Sequence, residues 1–234
     1  MNKEPIIIVA GEPNSIFLEI FFKSLRSQRY TNPLIIIVSK KLLEHQMKEL
    51  GFIFKVNIIN KNFKEFNKLD NKKINLIDVK YKFNKCFDKI SIRSNDYIKE
   101  SFHIAIKILI KNKFSKLING PISKKHFLKG KSLGITEYLA KKTVKNKNVV
   151  MLIFNKKLSV SPITTHLPLK NVNKHITKKR IYTHVKLIND FYKKKFNKKP
   201  RIAITGLNPH CESNFIDCEE DLIIKPVIKN LQNK

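Results

Sequence analysis

Two histidines stand in closely similar surroundings, each beside a proline. His166 lies in the run SPITTHLPL (161–169), and His210 ends the run ITGLNPH (204–210). In both runs an apolar stretch typical of a strand precedes the histidine, and the neighbouring proline restricts the backbone. Imidazole is a common ligand of catalytic divalent metals, and strand ends can bring two such side chains to one edge of a sheet. The pair is therefore a candidate metal site, although the spacing leaves a purely hydrogen-bonded role for each histidine equally open.

Two earlier segments also follow predicted strands. GEPNS (11–15) has a single glycine and matches neither GxGxxG nor a Walker pattern, so a turn into the first helix is favoured over a phosphate-binding loop. NGPISK (119–124) predicts a tight turn, with Ser123 as the cap of a short helix. Lys124 is placed to contact a phosphate or carboxylate, but a surface role explains it equally well because lysine is abundant in this chain.

A third segment, GITEYLAKK (134–142), predicts the start of a helix. Thr136 and Glu137 fall in its first turn, where free backbone N–H groups favour anions. A helix cap is the simpler explanation of these two residues unless another feature supports binding.

Short apolar runs alternate with helical patterns along the chain. Residues 95–112, behind Ser94 as N-cap, and residues 178–195, behind Thr177, each place apolar side chains on one helical stripe. The runs that predict strands are 5–10, 34–39, 55–60, 74–79, 116–119, 148–154, 158–164 and 201–205. Continuous Ile, Val and Leu runs between helices indicate an α/β fold with a largely parallel sheet. The polar stretch 60–73 is predicted to be a solvated connection.

The net charge of +30 raises the question of nucleic-acid or membrane binding. Of the 48 lysine and arginine residues only five are arginine, whereas nucleic-acid binders rely on the planar guanidinium. We expect a solvated lysine-rich surface and no nucleic-acid partner. The sequence also has no apolar stretch of bilayer-spanning length and no CxxC pair, so no membrane association and a cytoplasmic location are expected.

Taken together, these motifs resemble one family, the NAD-dependent 4-hydroxythreonine-4-phosphate dehydrogenases of pyridoxal phosphate (vitamin B6) biosynthesis. The stretches that carry the resemblance are GEPNSIFLEI, NGPISK, GITEYLAKKT, VVMLIFNKKLSVSPITTHLPLKNV and PRIAITGLNPHCES, followed by EE. They occur in the family's order across nearly the whole chain. TTHLPL and GLNPH are the most specific of them.

The resemblance implies an α/β fold like that of isocitrate and isopropylmalate dehydrogenases, with a mostly parallel sheet, helices on both faces, and the C-terminal part of that fold absent. Residues 1–234 would then form a single incomplete dehydrogenase-like unit. About 1–120 would be an N-terminal α/β part, and about 121–234 a middle α/β part with the metal histidines and the dimer contacts. The resemblance further implies a homodimer with active sites at the subunit interface.

The implied reaction is oxidation and decarboxylation of 4-phosphohydroxy-L-threonine to 3-amino-2-oxopropyl phosphate, with NAD as hydride acceptor. The family uses a divalent metal, commonly zinc and alternatively magnesium or cobalt, held by three histidines. His166 and His210 match two of these, and Thr136 matches a substrate-contacting threonine. The metal would lower the pKa of the substrate hydroxyl and then act as a Lewis acid during loss of CO₂. The resemblance assigns no catalytic or NAD-binding residue in this chain.

Three departures from the family pattern leave alternatives open. Ile135 stands where the family has a histidine, 211–215 replace a glycine-rich loop, and the sequence ends before the segment that carries the third metal histidine. The chain is then either a fragment or a natural short form. It is alternatively an inactive or degenerate homologue that retains only the fold and dimerisation, or a dehydrogenase of a related phosphorylated hydroxy acid.

Overall fold

The computed structural model describes residues 4–62, 64–128, 134–143, 148–155, 157–211 and 217–233. The chain divides into two compact units, Met1–Lys131 (unit 1) and Ser132–Lys234 (unit 2). The division that the sequence suggested near residue 120, within a single incomplete dehydrogenase-like unit, stays a prediction. No helix in the described ranges is both long and apolar enough to cross a membrane.

Unit 1 is built on a five-stranded sheet in which every described pairing is parallel. Its strands are β1 (Ile6–Val9), β2 (Leu34–Val38), β3 (Val56–Ile58), β4 (Ile74–Asp78) and β5 (Leu117–Asn119), in the order β3-β4-β2-β1-β5. All five lie within runs from which strands were predicted. β2 is buried at every position, as expected for a parallel strand covered on both faces.

Helices cover both faces of this sheet, which confirms the predicted layering. They are α1 (Phe17–Ser27), α2 (Lys40–Glu49) and α3 (Asn95–Asn112). Side chains alternate along a strand, so Ile8 and Ile36 pack with residues of α1 and α2 such as Phe22, while α3 lies against β1 and β2. The connection 60–73 is mostly exposed, but Phe66, in a short 3-10 helix (Phe66–Lys68), is buried.

The carboxyl ends of β1 and β5 meet through their backbones. Gly120 N–H donates to Val9 O at 2.7 Å, and Glu12 N–H donates to Pro121 O at 2.8 Å. A methyl group on Gly120 would lie 2.1 Å from Ala10 O, and one on Gly11 would lie 2.4 Å from Pro121 O. Gly11 also has a left-handed φ of +77°, which disfavours any side chain. Glycine is therefore required at both strand tips.

Unit 2 is mainly helical where it is described. Its α-helices are α4 (Ile135–Thr143), α5 (Lys178–Phe196) and α6 (Lys225–Gln232). Short 3-10 turns (Leu169–Asn171, Asn173–His175, Pro209–Cys211) and a π-helix (Glu220–Ile224) join them. A small core of Ile176, Ile181, Ile224 and Val227 packs α5 against α6. Helix α5 confirms the predicted cap, because Thr177 Oγ1 accepts a hydrogen bond from Arg180 N–H at 3.2 Å.

Three strand predictions in unit 2 are wrong. Residues 148–154, 158–164 and 201–205 form no strand, and the first two share only an isolated antiparallel bridge between Ile153 and Val160. Their apolar composition suits a strand, but a strand exists only where a neighbour completes the hydrogen-bond ladder. Ile153 is 56 % exposed and Val160 53 %, so no sheet layer of the described chain covers these two side chains.

The predicted cap of α3 is also wrong in one respect. The helix begins where expected, but the Ser94 side chain makes no capping hydrogen bond. Its hydroxyl donates instead to Glu12 Oε2 at 2.8 Å, because that carboxylate is buried beside the helix start.

Candidate functional site

GEPNS forms a turn in unit 1, as predicted, and the buried Glu12 side chain is hydrogen-bonded there. The Glu12 side chain is only 3 % exposed, and its carboxylate accepts the Ser94 hydroxyl at 2.8 Å and Asn14 N–H at 3.4 Å. The N-terminus of α3, which would favour an anion, is therefore already faced by a carboxylate of the same chain. The segment leads from β1 into α1, which is the structural role favoured from its sequence.

NGPISK forms the second turn of unit 1. The Ser123 hydroxyl accepts a hydrogen bond from His126 N–H at 3.2 Å and lies 2.9 Å from His126 Nδ1, which confirms Ser123 as the cap of the following short helix, a π-helix (Lys124–Leu128). Lys124 begins this helix and is exposed. Its contact with a phosphate or carboxylate stays a prediction.

Helix α4 of unit 2 begins at Ile135, so Thr136 and Glu137 lie in its first turn as predicted. Thr136 is exposed, which leaves its hydroxyl open to a ligand. Glu137 is partly buried, and its Oε1 accepts the Thr165 hydroxyl at 3.1 Å. Helix α4 is thereby tied to the residue directly before His166.

His166 lies against the start of α4. A methyl group placed on Gly134 would be 3.4 Å from both Nε2 and Cδ2 of the His166 ring and 3.0 Å from Glu137 Oε2. The imidazole and the carboxylate therefore both border the space above Gly134. Because Gly134 is two residues from Thr136, the structure brings the predicted substrate threonine and one predicted metal histidine into the same part of unit 2.

His210 lies on a loop whose base is hydrogen-bonded to the buried carboxylate of Glu220. Glu220 Oε1 accepts Leu207 N–H and Asn208 N–H, both at 2.8 Å, and Glu220 Oε2 accepts Asn208 Nδ2 at 2.8 Å. Asn208 Nδ2 also donates to Glu219 Oε2 at 3.0 Å. Glu220 is 2 % exposed, whereas His210 is exposed at the loop tip. Of residues 211–215, which replace the glycine-rich loop of the family, 212–215 lie outside the described residues.

Both candidate metal histidines have left-handed backbone conformations. The φ angle is +56° at His166 and +61° at His210, and Cys211 has +55°. Such a conformation costs a residue with a side chain about 1–3 kcal/mol and persists where the surroundings enforce it. Non-glycine residues of this kind cluster at binding and catalytic sites. The two histidines share this feature in addition to their similar sequences.

No group of three or more His, Cys, Asp or Glu side chains in the described ranges forms a metal-binding cluster. The pairing of His166 with His210 around one metal therefore stays a prediction. Sequence reasoning placed Glu137 in the first turn of a helix and noted Glu220 only within EE, and it missed the hydrogen bonds that both carboxylates make. Glu220 lies between Glu219 and Asp221, so its neighbours in the sequence gave no sign of its burial.

From the hydrogen bonds of the Glu220 carboxylate we expect the stability of the protein to depend on pH. Hydrogen bonds from the Asn208 backbone and side chain, helped by Leu207, lower the pKa of Glu220 from 4.5 to about 2, against an opposing effect of burial. Folding thus favours the charged carboxylate. Glu220 therefore contributes fully to the stability of the protein above pH 4.5, and this contribution is lost as the pH falls towards 2. In urea unfolding, Glu220→Gln should lower the midpoint at pH 7, and the two proteins should converge in acid. A difference between the two urea midpoints that does not change with pH would contradict this role of the Glu220 charge.

Known proteins resemble the whole of the chain. The 4-hydroxythreonine-4-phosphate dehydrogenase of a Sulfurihydrogenibium species is 37% identical over 232 residues, which are 97% of this chain and 70% of that protein. The protein of the same name from Wigglesworthia glossinidia brevipalpis is 32% identical over 243 residues, covering 99% of this chain and 70% of the relative.

A solved structure and a family model agree with these relatives. The crystal structure of 4-hydroxythreonine-4-phosphate dehydrogenase from Klebsiella pneumoniae superposes with a TM-score of 0.80 at 20% identity, over 99% of this chain and 72% of that one. At this identity the likeness establishes the α/β fold alone. The family model described as pyridoxal phosphate biosynthetic protein PdxA matches residues 29–234. The chain therefore belongs to the PdxA family of pyridoxal phosphate biosynthetic proteins.

Proposed function

We propose that this protein is a 4-hydroxythreonine-4-phosphate dehydrogenase. It would oxidise and decarboxylate 4-phosphohydroxy-L-threonine to 3-amino-2-oxopropyl phosphate, with NAD as hydride acceptor. The observation that carries the proposal is the 37% identity to a dehydrogenase of that name over 97% of the chain. The placement of His166 beside the helix that bears Thr136 supports it further.

The residues present fit a divalent metal. His166 and His210 are exposed, and imidazole nitrogen suits zinc or cobalt in sites that keep positions open for substrate. Glu137 Oε2, beside the His166 ring, is buried and has no hydrogen-bond partner among the described residues, so the site has negative charge to offer a cation. We propose zinc, with cobalt or magnesium as alternatives. The bound metal would supply Lewis-acid stabilisation of negative charge on the substrate oxygen.

The other roles belong to residues around the metal. Thr136, exposed in the first turn of α4, would donate a hydrogen bond from its hydroxyl to the substrate. The lysine-rich surface, with a net charge of +30, would draw a phosphorylated substrate towards the protein. A homodimer with active sites at the subunit interface and a cytoplasmic location are part of the same proposal.

The direct test is turnover by the purified protein. With Zn²⁺ and NAD⁺ present, addition of 4-phosphohydroxy-L-threonine should produce NADH together with an equal amount of CO₂. NADH formed only from another phosphorylated hydroxy acid would assign a related substrate. No NADH above background with Zn²⁺, Co²⁺ or Mg²⁺ would overturn the proposal and favour a homologue that retains only the fold.

A further inference from the structure

The loops of His166 and His210 need an explanation, because neither contains a glycine at its left-handed histidine. The φ angles are +56° and +61°. Such a conformation is retained only when contacts outside the residue hold the chain in place. In each case a glutamate on a helical segment is hydrogen-bonded to residues shortly before the histidine.

At His210 the holding contact is Glu220. One carboxylate takes three N–H donors from the two residues that precede Pro209, each at 2.8 Å. The carboxylate is buried, and these donors take the place of water around it. Removing the carboxylate would leave the two backbone N–H groups without their acceptor. The loop tip beyond it, with His210, is exposed. The described hydrogen bonds of Glu220 to this loop thus lie at its base, at Leu207 and Asn208.

At His166 the corresponding residue is Glu137. Its Oε1 accepts the hydroxyl of Thr165, the residue before the histidine, at 3.1 Å. Its Oε2 faces the space above Gly134 that it shares with the His166 ring. Oε2 has no hydrogen-bond partner among the described residues, so Glu137 acts on His166 through the Thr165 bond and through its closeness to the ring.

We propose that Glu137 and Glu220 are positioning residues, each of which holds the loop that presents one histidine to the metal. The inference rests on the proposed metal-dependent function. It goes beyond that function because it assigns to two residues outside the histidine pair the task of fixing its geometry.

The test is Zn²⁺ affinity of the full chain, measured by competition with a chromophoric chelator. Glu220→Ala and Glu137→Ala should each weaken binding about 10- to 100-fold, the usual effect of losing a partner that orients a metal ligand. Glu220→Gln and Glu137→Gln should have smaller effects, because the amide oxygen still accepts the N–H groups of Leu207 and Asn208 or the hydroxyl of Thr165. Asp190→Asn, which removes an exposed carboxylate from α5, is the matched control and should bind as the unaltered protein.

Amide hydrogen exchange gives a second measurement that does not depend on metal. In Glu220→Ala the amides of Leu207 and Asn208 should exchange at least about 10-fold faster, while the Ile181 amide in α5, which donates to Thr177 O, should be unchanged. Faster exchange throughout α5 would mean that the variant unfolds unit 2, and the affinity comparison would then rest on Glu220→Gln and Glu137→Gln.

The outcomes separate this inference from the proposed function. If the unaltered protein binds Zn²⁺ and the glutamate variants bind it equally well, the positioning role is wrong and the dehydrogenase proposal stands. If the unaltered protein binds neither Zn²⁺ nor Co²⁺, the proposed metal site is wrong. The positioning role is then wrong as well, even if hydrogen exchange shows that Glu220 holds the loop.

Discussion

Replacing Gly11 with alanine should destabilise unit 1 on the order of 3 kcal/mol. Two costs add together. The residue has φ +77°, which disfavours any Cβ, and the new methyl group would lie 2.4 Å from Pro121 O. That atom belongs to the backbone and is held by Glu12 N–H, so it cannot turn aside as a side chain would.

Gly51→Ala is the matched control for this substitution. Gly51 has a similar φ of +68°, but a methyl group there would meet nothing within 4 Å. Gly51→Ala should therefore lower the free energy of unfolding only by the cost of placing a side chain in the left-handed conformation, about 1 kcal/mol. Urea unfolding of the full chain followed by circular dichroism measures both variants. Equal destabilisation by the two substitutions would contradict the contact between the tips of β1 and β5.

Replacing His166 or His210 with alanine should have the largest effect on metal binding. Each substitution removes a proposed ligand, so the loss of Zn²⁺ affinity should exceed the approximately 10- to 100-fold that follows removal of a residue that only orients a ligand. If the two histidines hold one metal, the double variant should bind little more weakly than either single variant, because one lost ligand already removes most of the site.

His175→Ala provides the control for the histidine variants. His175 is exposed in the same unit, in a short 3-10 turn, and its Nδ1 lies 2.9 Å from Asn171 O. Its removal should leave Zn²⁺ affinity unchanged. Unchanged affinity in His166→Ala and His210→Ala would remove the metal site, and a loss in only one of them would exclude a shared metal.

The sheet of unit 1 was predictable because its strands carry their own signal. Runs such as Ile6–Val9 and Leu34–Val38 are continuously apolar, as strands buried between two helical layers must be. The intervening helices have equally clear stripes of apolar residues. Local sequence and tertiary environment agree throughout this unit, which is the condition under which reasoning from pattern succeeds.

Unit 2 shows why the same reasoning fails elsewhere. Residues 201–205 have the composition of a strand, but they form none in the structure. Whether an apolar run becomes a strand depends on a pairing segment that is distant in sequence. The run itself does not indicate whether such a segment exists. Helix α5 was predicted correctly because its hydrogen bonds are local and its cap, Thr177, is visible in the sequence.

The candidate site was predicted only at its exposed tips. His166 and His210 were recognised because two histidines in matching motifs suggest a metal site, and Thr136 was recognised only through the resemblance to the family. Glu137 and Glu220 were missed because their function depends on which N–H and O–H groups surround them after folding, and sequence does not show that. In a chain with so many charged residues, a buried glutamate cannot be told from a surface one by type alone.

The contact between Gly11 and Gly120 has a consequence for how this protein can change. Most harmful core substitutions can be rescued by a second one, in which a neighbouring side chain becomes smaller. Here the obstructing atoms are Pro121 O and Ala10 O, which every amino acid carries. No compensating mutation at the opposing position can make room, so the GEP and NGP motifs are linked by an incompatibility that second-site suppressors cannot relieve.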